Sequence, residues 1–392
     1  MEIPQKWVYP INIITFNLSR LSPFRSKRIW IFGAWAGKKY DDNSRYLFEY
    51  IANSQTGKIR TVWLTRSPMV VDLVRNLGHE AYLGYSLKGL WLQLRAGLVF
   101  YTNSLNDFCL IPLVGGAEIG TSWHGMSFKK IYNSKYHGWK LIAKKLLDHI
   151  YSRTYRTLSF VPSEQGRRWF EESFTLNPDK IFITGQPRND ILKQVSKQDV
   201  LKKMGLDSQK KIILYLPTYR HAALGKDAML RIVKGLYDDE EFNNMLKANN
   251  FLFLVKPHPV TPPLYLSDND NFKVLTYHAV SNNQELLACG DILITDYSGG
   301  FIDFALLDRP IVFYTPDEEK FLADSEDIDS KFFDISKLNC AKTPHELAIK
   351  LANPLTVACD ATNEVWEDRS IKGSCYSENV FNVLTSAVGL NR

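Results

Sequence analysis

The sequence predicts an α/β protein of two similar domains, each built on a parallel sheet. Short runs rich in β-branched and aromatic residues alternate with helix-length segments, the rhythm of βαβ units, and this rhythm restarts after Asp190. A length of 392 residues, with 45% hydrophobic and 23% charged, is ordinary for about two globular domains and excludes a disordered chain or a small disulfide-stapled scaffold.

The expected strands of the first domain are residues 28–33, 61–64, 98–102, 119–123 and 158–162, each ending near Gly, Pro, Ser or Asn. Those of the second are 212–216, 251–255, 292–295 and 311–314, apolar runs of the kind buried on both faces of a parallel sheet. The polar, lysine-rich stretch 193–211 separates them, which puts the domains at residues 1–190 and 191–392.

Five cysteines (Cys109, Cys289, Cys340, Cys359, Cys375) without C-x-x-C spacing read as free thiols. No stretch approaches the roughly 20 apolar residues of a spanning helix, and residues 1–28 lack a signal-peptide pattern, so a cytoplasmic protein is expected. The net charge of +6 is too small for general coating of nucleic acid, and no nucleic-acid partner is expected, but it leaves room for one basic face. That face is residues 129–168. Within it Trp139, Ile142, Leu146 and Ile150 fall at helical spacing with Lys140, Lys144 and Lys145 on other faces, a basic amphipathic helix suited to an anionic membrane surface or a polyphosphate acceptor. The alternative is a solvated helix packed on its own domain. Residues 7–16, followed by Arg20, Arg25, Lys27 and Arg28, are a second membrane candidate or else a buried first helix.

Several strand ends carry chemistry. The Gly-rich turn 33–37 is not a Walker A loop, but it lies where α/β ligands bind. His124 follows another strand, and an imidazole there is a general-base candidate provided a carboxylate or carbonyl orients its other nitrogen. The alternative is a hydrogen-bonded structural histidine. In Lys256-Pro257-His258-Pro259 two prolines stiffen a loop that presents a cation and an imidazole, a pairing that suits a pyrophosphate. Ser298-Gly299-Gly300 opens a helix whose free amides form an anion site. Thr218 and Arg220 end a strand with a hydroxyl and a guanidinium fit for bidentate phosphate contact. No acidic cluster has metal-ligand spacing and D-x-D is absent from the strand-end turns, so neither metal nor cofactor is expected.

Taken in order, these motifs resemble the CDP-glycerol glycerophosphotransferase family of teichoic-acid primases and polymerases. The resemblance rests on Asp41-Asp42-Asn43-Ser44, Trp123-His124-Gly125, Gly185-Gln186-Pro187-Arg188-Asn189-Asp190, Pro217-Thr218-Tyr219-Arg220, Lys256-Pro257-His258-Pro259, and Asp296-Tyr297-Ser298 with Asp303. It implies a GT-B fold, two Rossmann-like domains with an interdomain cleft, the nucleotide on the C-terminal domain and the acceptor on the N-terminal one. It implies attack by an acceptor hydroxyl on the β-phosphate of CDP-glycerol, with CMP released. His124 would be the acceptor-side base, and Lys256 with His258 would stabilise the pyrophosphate. Thr218, Arg220, Ser298, Gly299 and Asp303 match positions around the donor phosphates and polyol, and Arg188 and Asn189 match a hinge loop. The implied acceptor is a lipid-linked saccharide or polyol-phosphate polymer, met peripherally on the inner face of the membrane during teichoic-acid, capsule or other envelope synthesis. Competing expectations are a CDP-ribitol donor, a GT-B nucleotide-sugar glycosyltransferase, and a silent polyanion- or lipid-binding protein.

Overall fold

The computed structural model describes residues 5–55, 57–151, 157–220, 227–258, 260–267, 269–276, 282–324, 328–329, 331–332, 340–353, 371 and 373–390. The chain divides into two compact units. The first takes its described residues from 1–126, 132–190 and 368–392, and the second from 127–131 and 191–367.

Among its described residues the first unit holds seven parallel strands: β1 (Ser26–Gly33), β2 (Arg60–Thr65), β3 (Ala81–Leu83), β4 (Ala96–Tyr101), β5 (Glu118–Thr121), β6 (Leu158–Val161) and β7 (Ile181–Ile183). Their order is β3-β2-β1-β4-β5-β6-β7. The second unit holds β8 (Lys211–Leu216), β9 (Phe251–Val255), β10 (Phe272–Val274), β11 (Ile292–Thr295), β12 (Ile311–Tyr314) and β13 (Cys340–Ala341), ordered β10-β9-β8-β11-β12-β13. Both sheets therefore run outward in two directions from a central pair, β1 beside β4 and β8 beside β11. This is the doubly wound order, and ligands of such sheets bind beyond the carboxyl ends of the central pair.

The apolar runs make strands because each face of the sheet is covered. Along β1, Trp30 and Phe32 enter one core cluster while Ile29 and Ile31 enter the other, and β4 divides Leu98 and Phe100 from Val99 and Tyr101 in the same way. Of the thirteen strands among the described residues, nine coincide with the expected runs.

Two stretches differ from expectation: residues 127–131, placed in the first domain by the sequence division, fall with the second unit, and the C-terminal helix falls with the first. The sequence division placed all of 191–392 in the second domain, yet the helix Tyr376–Ala387 lies on the first sheet. Its Val380, Phe381, Leu384 and Val388 complete the cluster around Trp30, Phe32 and Phe100, with the Phe381 ring 5.8 Å from Trp30. An apolar helical stripe goes where the uncovered sheet face is, whatever its place in the chain.

The expected basic helix forms over Gly138–Tyr151, and its Trp139, Ile142 and Leu146 are 74%, 71% and 59% exposed. The first helix, Gln5–Ser19, buries Phe16 against the sheet and leaves Ile14 and Leu18 exposed. Cys109, Cys289, Cys340 and Cys375 are free thiols. Cys359, Arg153, Arg156 and Pro259 lie outside the described residues, as does the side chain of Ile150. Among the described residues no helix is long and apolar enough to cross a membrane.

Candidate active site

In the first unit the loops after β1, β4 and β5 are neighbours because their strands are. The turn Trp35–Gly37 runs through positive φ at all three residues, a conformation that non-glycine residues adopt only when tied down. Asp107, in the loop after β4, does the tying. Its carboxylate accepts the amides of Ala36, Thr102 and Asn103 at 2.7, 2.9 and 2.8 Å. Burial pushes this carboxyl up to about 6 in spite of those donors.

His124 sits beyond β5 with its ring 3.6 Å from that of Trp123 and 6.1 Å from that of Trp35, centroid to centroid. Burial, helped by the Arg188 charge, lowers its pKa to about 4, so the imidazole is neutral at ordinary pH. The orienting carboxylate or carbonyl expected on its second nitrogen is not found: Nδ1 is buried with no hydrogen-bond partner among the described residues. The ring is held instead by aromatic packing and by its backbone. Arg188 donates from Nη1 to the His124 carbonyl oxygen at 3.0 Å and pairs with Asp42 at 3.1 Å. Burial raises the Asp42 carboxyl above the usual range against the pull of Arg188. Asn43 closes the network, accepting the Arg188 amide at 3.2 Å and donating to the Trp123 carbonyl at 3.2 Å. Gly125, at φ +104°, leaves room for it, since a Cβ there would stand 2.2 Å from Arg188 Nη2.

Asn189 is buried beside Arg188, and Asp190 caps the helix Tyr376–Ala387 by accepting the amides of Tyr376 and Ser377 at 2.7 and 2.9 Å. The loop matched to a hinge is thus fastened at both ends within the first unit.

In the second unit Thr218 and Arg220 follow β8, Lys256 and His258 follow β9, and Asp296 to Asp303 follow β11, three adjacent strands. Asp296 spans the central pair: it accepts the amides of Thr218 and Tyr297 at 2.8 and 2.6 Å and pairs with Arg220 at 2.9 Å. Arg220 lies within this network. It is 4% exposed, and its guanidinium is committed to Asp296, to both oxygens of Asp317 at 2.7 and 3.0 Å, and to the Thr218 carbonyl at 2.9 Å. Burial works against this charge, but Asp296 and Asp317 hold its pKa above the ordinary arginine value. A guanidinium so occupied shapes the loop after β8.

The other expected residues surround this buried core. Thr218 keeps a buried Oγ1 with no hydrogen-bond partner among the described residues. Lys256 reaches the Asn283 side chain, and the next residue, Gln284, donates to Asp303 at 3.2 Å. His258 is exposed, its ring 6.1 Å from Tyr219. Ser298 accepts the Gly300 amide at 3.4 Å, and Gly299 precedes the helix. That helix spans only Gly300–Phe304 before tightening to a 3-10 turn, so its dipole is weaker than the sequence suggested. Asp107, Asp317 and Asn283 are additions the sequence reading missed. Asp317, two residues past Thr315 at the end of a β-rich run, is the one a search of strand ends could have found.

Two units with this strand order are the architecture of GT-B transferases. The sequence pattern of the CDP-Glycerol:Poly(glycerophosphate) glycerophosphotransferase family matches residues 14–364, and the chain belongs to that family. It is 29% identical over 395 residues to a teichoic acid poly(glycerol phosphate) polymerase of Bacillus spizizenii, covering 94% of this chain and 93% of that protein. It is 25% identical over 319 residues to a teichoic acid glycerol-phosphate transferase of Staphylococcus aureus, covering 78% of each. Among solved structures, a variant of the wall teichoic acid polymerase TagF superposes with a TM-score of 0.76 at 19% identity, over 97% of this chain and 93% of that one, which shows a shared fold.

Proposed function

We propose that this chain transfers glycerol phosphate from CDP-glycerol to a hydroxyl of a membrane-linked or polymeric acceptor of the teichoic-acid type. The family match over residues 14–364 carries this reading. The acceptor oxygen attacks the β-phosphorus, the bond to the bridging oxygen breaks, a phosphodiester forms and CMP leaves. His124 takes the acceptor proton. Its neutral state supports that role, and because Nδ1 is the buried nitrogen, Nε2 is the one left to meet a substrate.

In this reading the second unit holds the donor. Lys256 and His258 stabilise the pyrophosphate, the Thr218 hydroxyl with Ser298 and Gly299 contacts phosphate oxygens, and Asp303 accepts from the polyol. Arg220 positions the Thr218 loop, while Arg188 and Asn189 position the His124 turn. The exposed Trp139, Ile142 and Leu146 beside Lys140 and Lys145 support a peripheral site on an anionic membrane surface.

A donor panel tests the reading. Purified protein is offered CDP-glycerol, CDP-ribitol and several nucleotide sugars with a membrane extract as acceptor, and products are weighed by mass spectrometry. Glycerol-phosphate addition from CDP-glycerol is expected. Addition of ribitol phosphate alone would replace the polyol, and turnover of nucleotide sugars alone would overturn the reading.

A further inference from the structure

The helix Asn283–Cys289 meets two charged residues of the proposed donor site with its first turn. Asn282 fixes where that helix starts: its side chain accepts the Gln284 amide at 2.9 Å and donates to the Glu285 carboxylate at 3.3 Å. Asn283 and Gln284 thus take the first two helical positions, from which successive side chains point about 100° apart. Each meets a different partner. Asn283 Oδ1 accepts from the Lys256 ammonium, and Gln284 Nε2 donates to Asp303 Oδ2 at 3.2 Å. All four residues belong to the second unit.

Lys256, Gln284 and Asp303 are buried. The Lys256 amide donates to the Tyr215 carbonyl at 2.9 Å, so its backbone is held by the sheet and the flexible four-carbon stem is what needs placing. Asn283 places it. Both partners are amides, and that choice bears on charge. A neutral acceptor fixes an ammonium without cancelling its charge, and a neutral donor orients a carboxylate in the same way. Arg220, by comparison, is matched by the carboxylates of Asp296 and Asp317. Charged groups ordered in advance lose less entropy when a ligand arrives, so amide-held charges are prepared to meet one.

We propose that Asn283 and Gln284 are positioning residues that serve two parts of the donor separately: Asn283 sets Lys256 for the pyrophosphate, and Gln284 sets Asp303 for the polyol. The assignment rests on the transferase reading, which gives Lys256 and Asp303 those roles. One helical turn then divides the donor. Loss of the Asn283 amide weakens every ligand that carries the pyrophosphate, whereas loss of the Gln284 amide weakens only ligands that carry the polyol.

The experiment is calorimetric titration of the full chain with CDP-glycerol and, separately, with CDP, for wild type, Asn283→Ala and Gln284→Met. Met keeps the size of Gln without its donor. Gln284→Asn, whose amide is one methylene short of Asp303, is read in its place if that variant does not fold. Asn283→Ala is expected to raise Kd about tenfold for both ligands. The change at Gln284 is expected to raise Kd for CDP-glycerol about tenfold and to leave that for CDP within about a factor of two. Equal weakening of both ligands by both variants would reduce the turn to a structural part and overturn the proposal. So would unchanged affinity in either variant. In those outcomes wild type still binds CDP-glycerol, and the transferase reading stands. Wild-type protein that binds neither ligand would remove that reading, and the proposal with it.

Discussion

The Arg188 side chain holds the His124 carbonyl oxygen at 3.0 Å while it is itself anchored on Asp42 at 3.1 Å. A candidate base is thus fixed through its backbone, and its imidazole Nδ1 has no hydrogen-bond partner among the described residues. The second unit is secured by comparable means. Asp107 ties the loops after β1 and β4, and Asp296 ties those after β8 and β11, so a buried aspartate bridges the central strand pair of each sheet.

Substitution of Gly125 tests the Arg188 anchor. Its φ of +104° disfavours any side chain, and a Cβ would stand 2.2 Å from Arg188 Nη2. Gly125→Ala is expected to reduce kcat/KM for CDP-glycerol about a hundredfold with the far-ultraviolet spectrum unchanged, because small displacements of a catalytic group cost about that much. Activity within a factor of two of wild type would separate Arg188 from catalysis.

The pH profile follows from the lowered pKa of His124. The base must be neutral, and its pKa of about 4 keeps it so, which makes kcat/KM level on its account from about pH 8 to about pH 5 and falling below about pH 4. A histidine with the ordinary pKa near 6.5 would instead give a fall near neutrality. A single break close to pH 6.5 would mean that His124 is not buried as described.

Stability carries the same signature. The unfolded chain protonates this histidine near 6.5 and the folded one near 4, so between those values the unfolded state binds the extra proton and stability falls as pH falls. Against His124→Phe, wild type should therefore lose Tm progressively from about pH 6.5 to about pH 4, with a constant difference above that window. A difference that does not vary with pH would contradict the shift.

Arg220 separates a structural role from direct phosphate contact. Asp296→Ala leaves a buried guanidinium short of a partner and is expected to cost about 3–5 kcal/mol in urea unfolding. A variant of wild-type stability with a raised KM for CDP-glycerol would restore Arg220 as a direct ligand.

The C-terminal helix is testable through its packing. Phe381→Ala removes a ring from the cluster around Trp30 and should destabilise the first unit by about 3 kcal/mol or more. An effect under about 1 kcal/mol would return the helix to the surface.

What could be read from the sequence follows a physical line. The strands it revealed are the inner ones, whose four to eight residues are buried on both faces and so stand out as apolar runs. The strands it missed, β3, β7, β10 and β13, are the outer strands of the two sheets, two or three residues long, too short to show any period. His124, Lys256 and His258 were visible because strand ends and flanking prolines mark them. The pairing of Arg188 with Asp42, or of Arg220 with Asp317, joins residues 146 and 97 positions apart, and local pattern says nothing about such partners. Tyr376–Ala387 was assigned to the wrong domain for the same reason: its apolar stripe identifies a helix but not the sheet it covers.

The most direct measurement identifies the nucleotide released when purified protein turns over CDP-glycerol with a lipid-linked acceptor, for wild type and for His124→Ala. The account predicts CMP together with an acceptor heavier by one or more glycerol-phosphate units, both reduced at least a hundredfold in the variant, in keeping with the loss of a general base. Release of CDP, or undiminished turnover by His124→Ala, would contradict it.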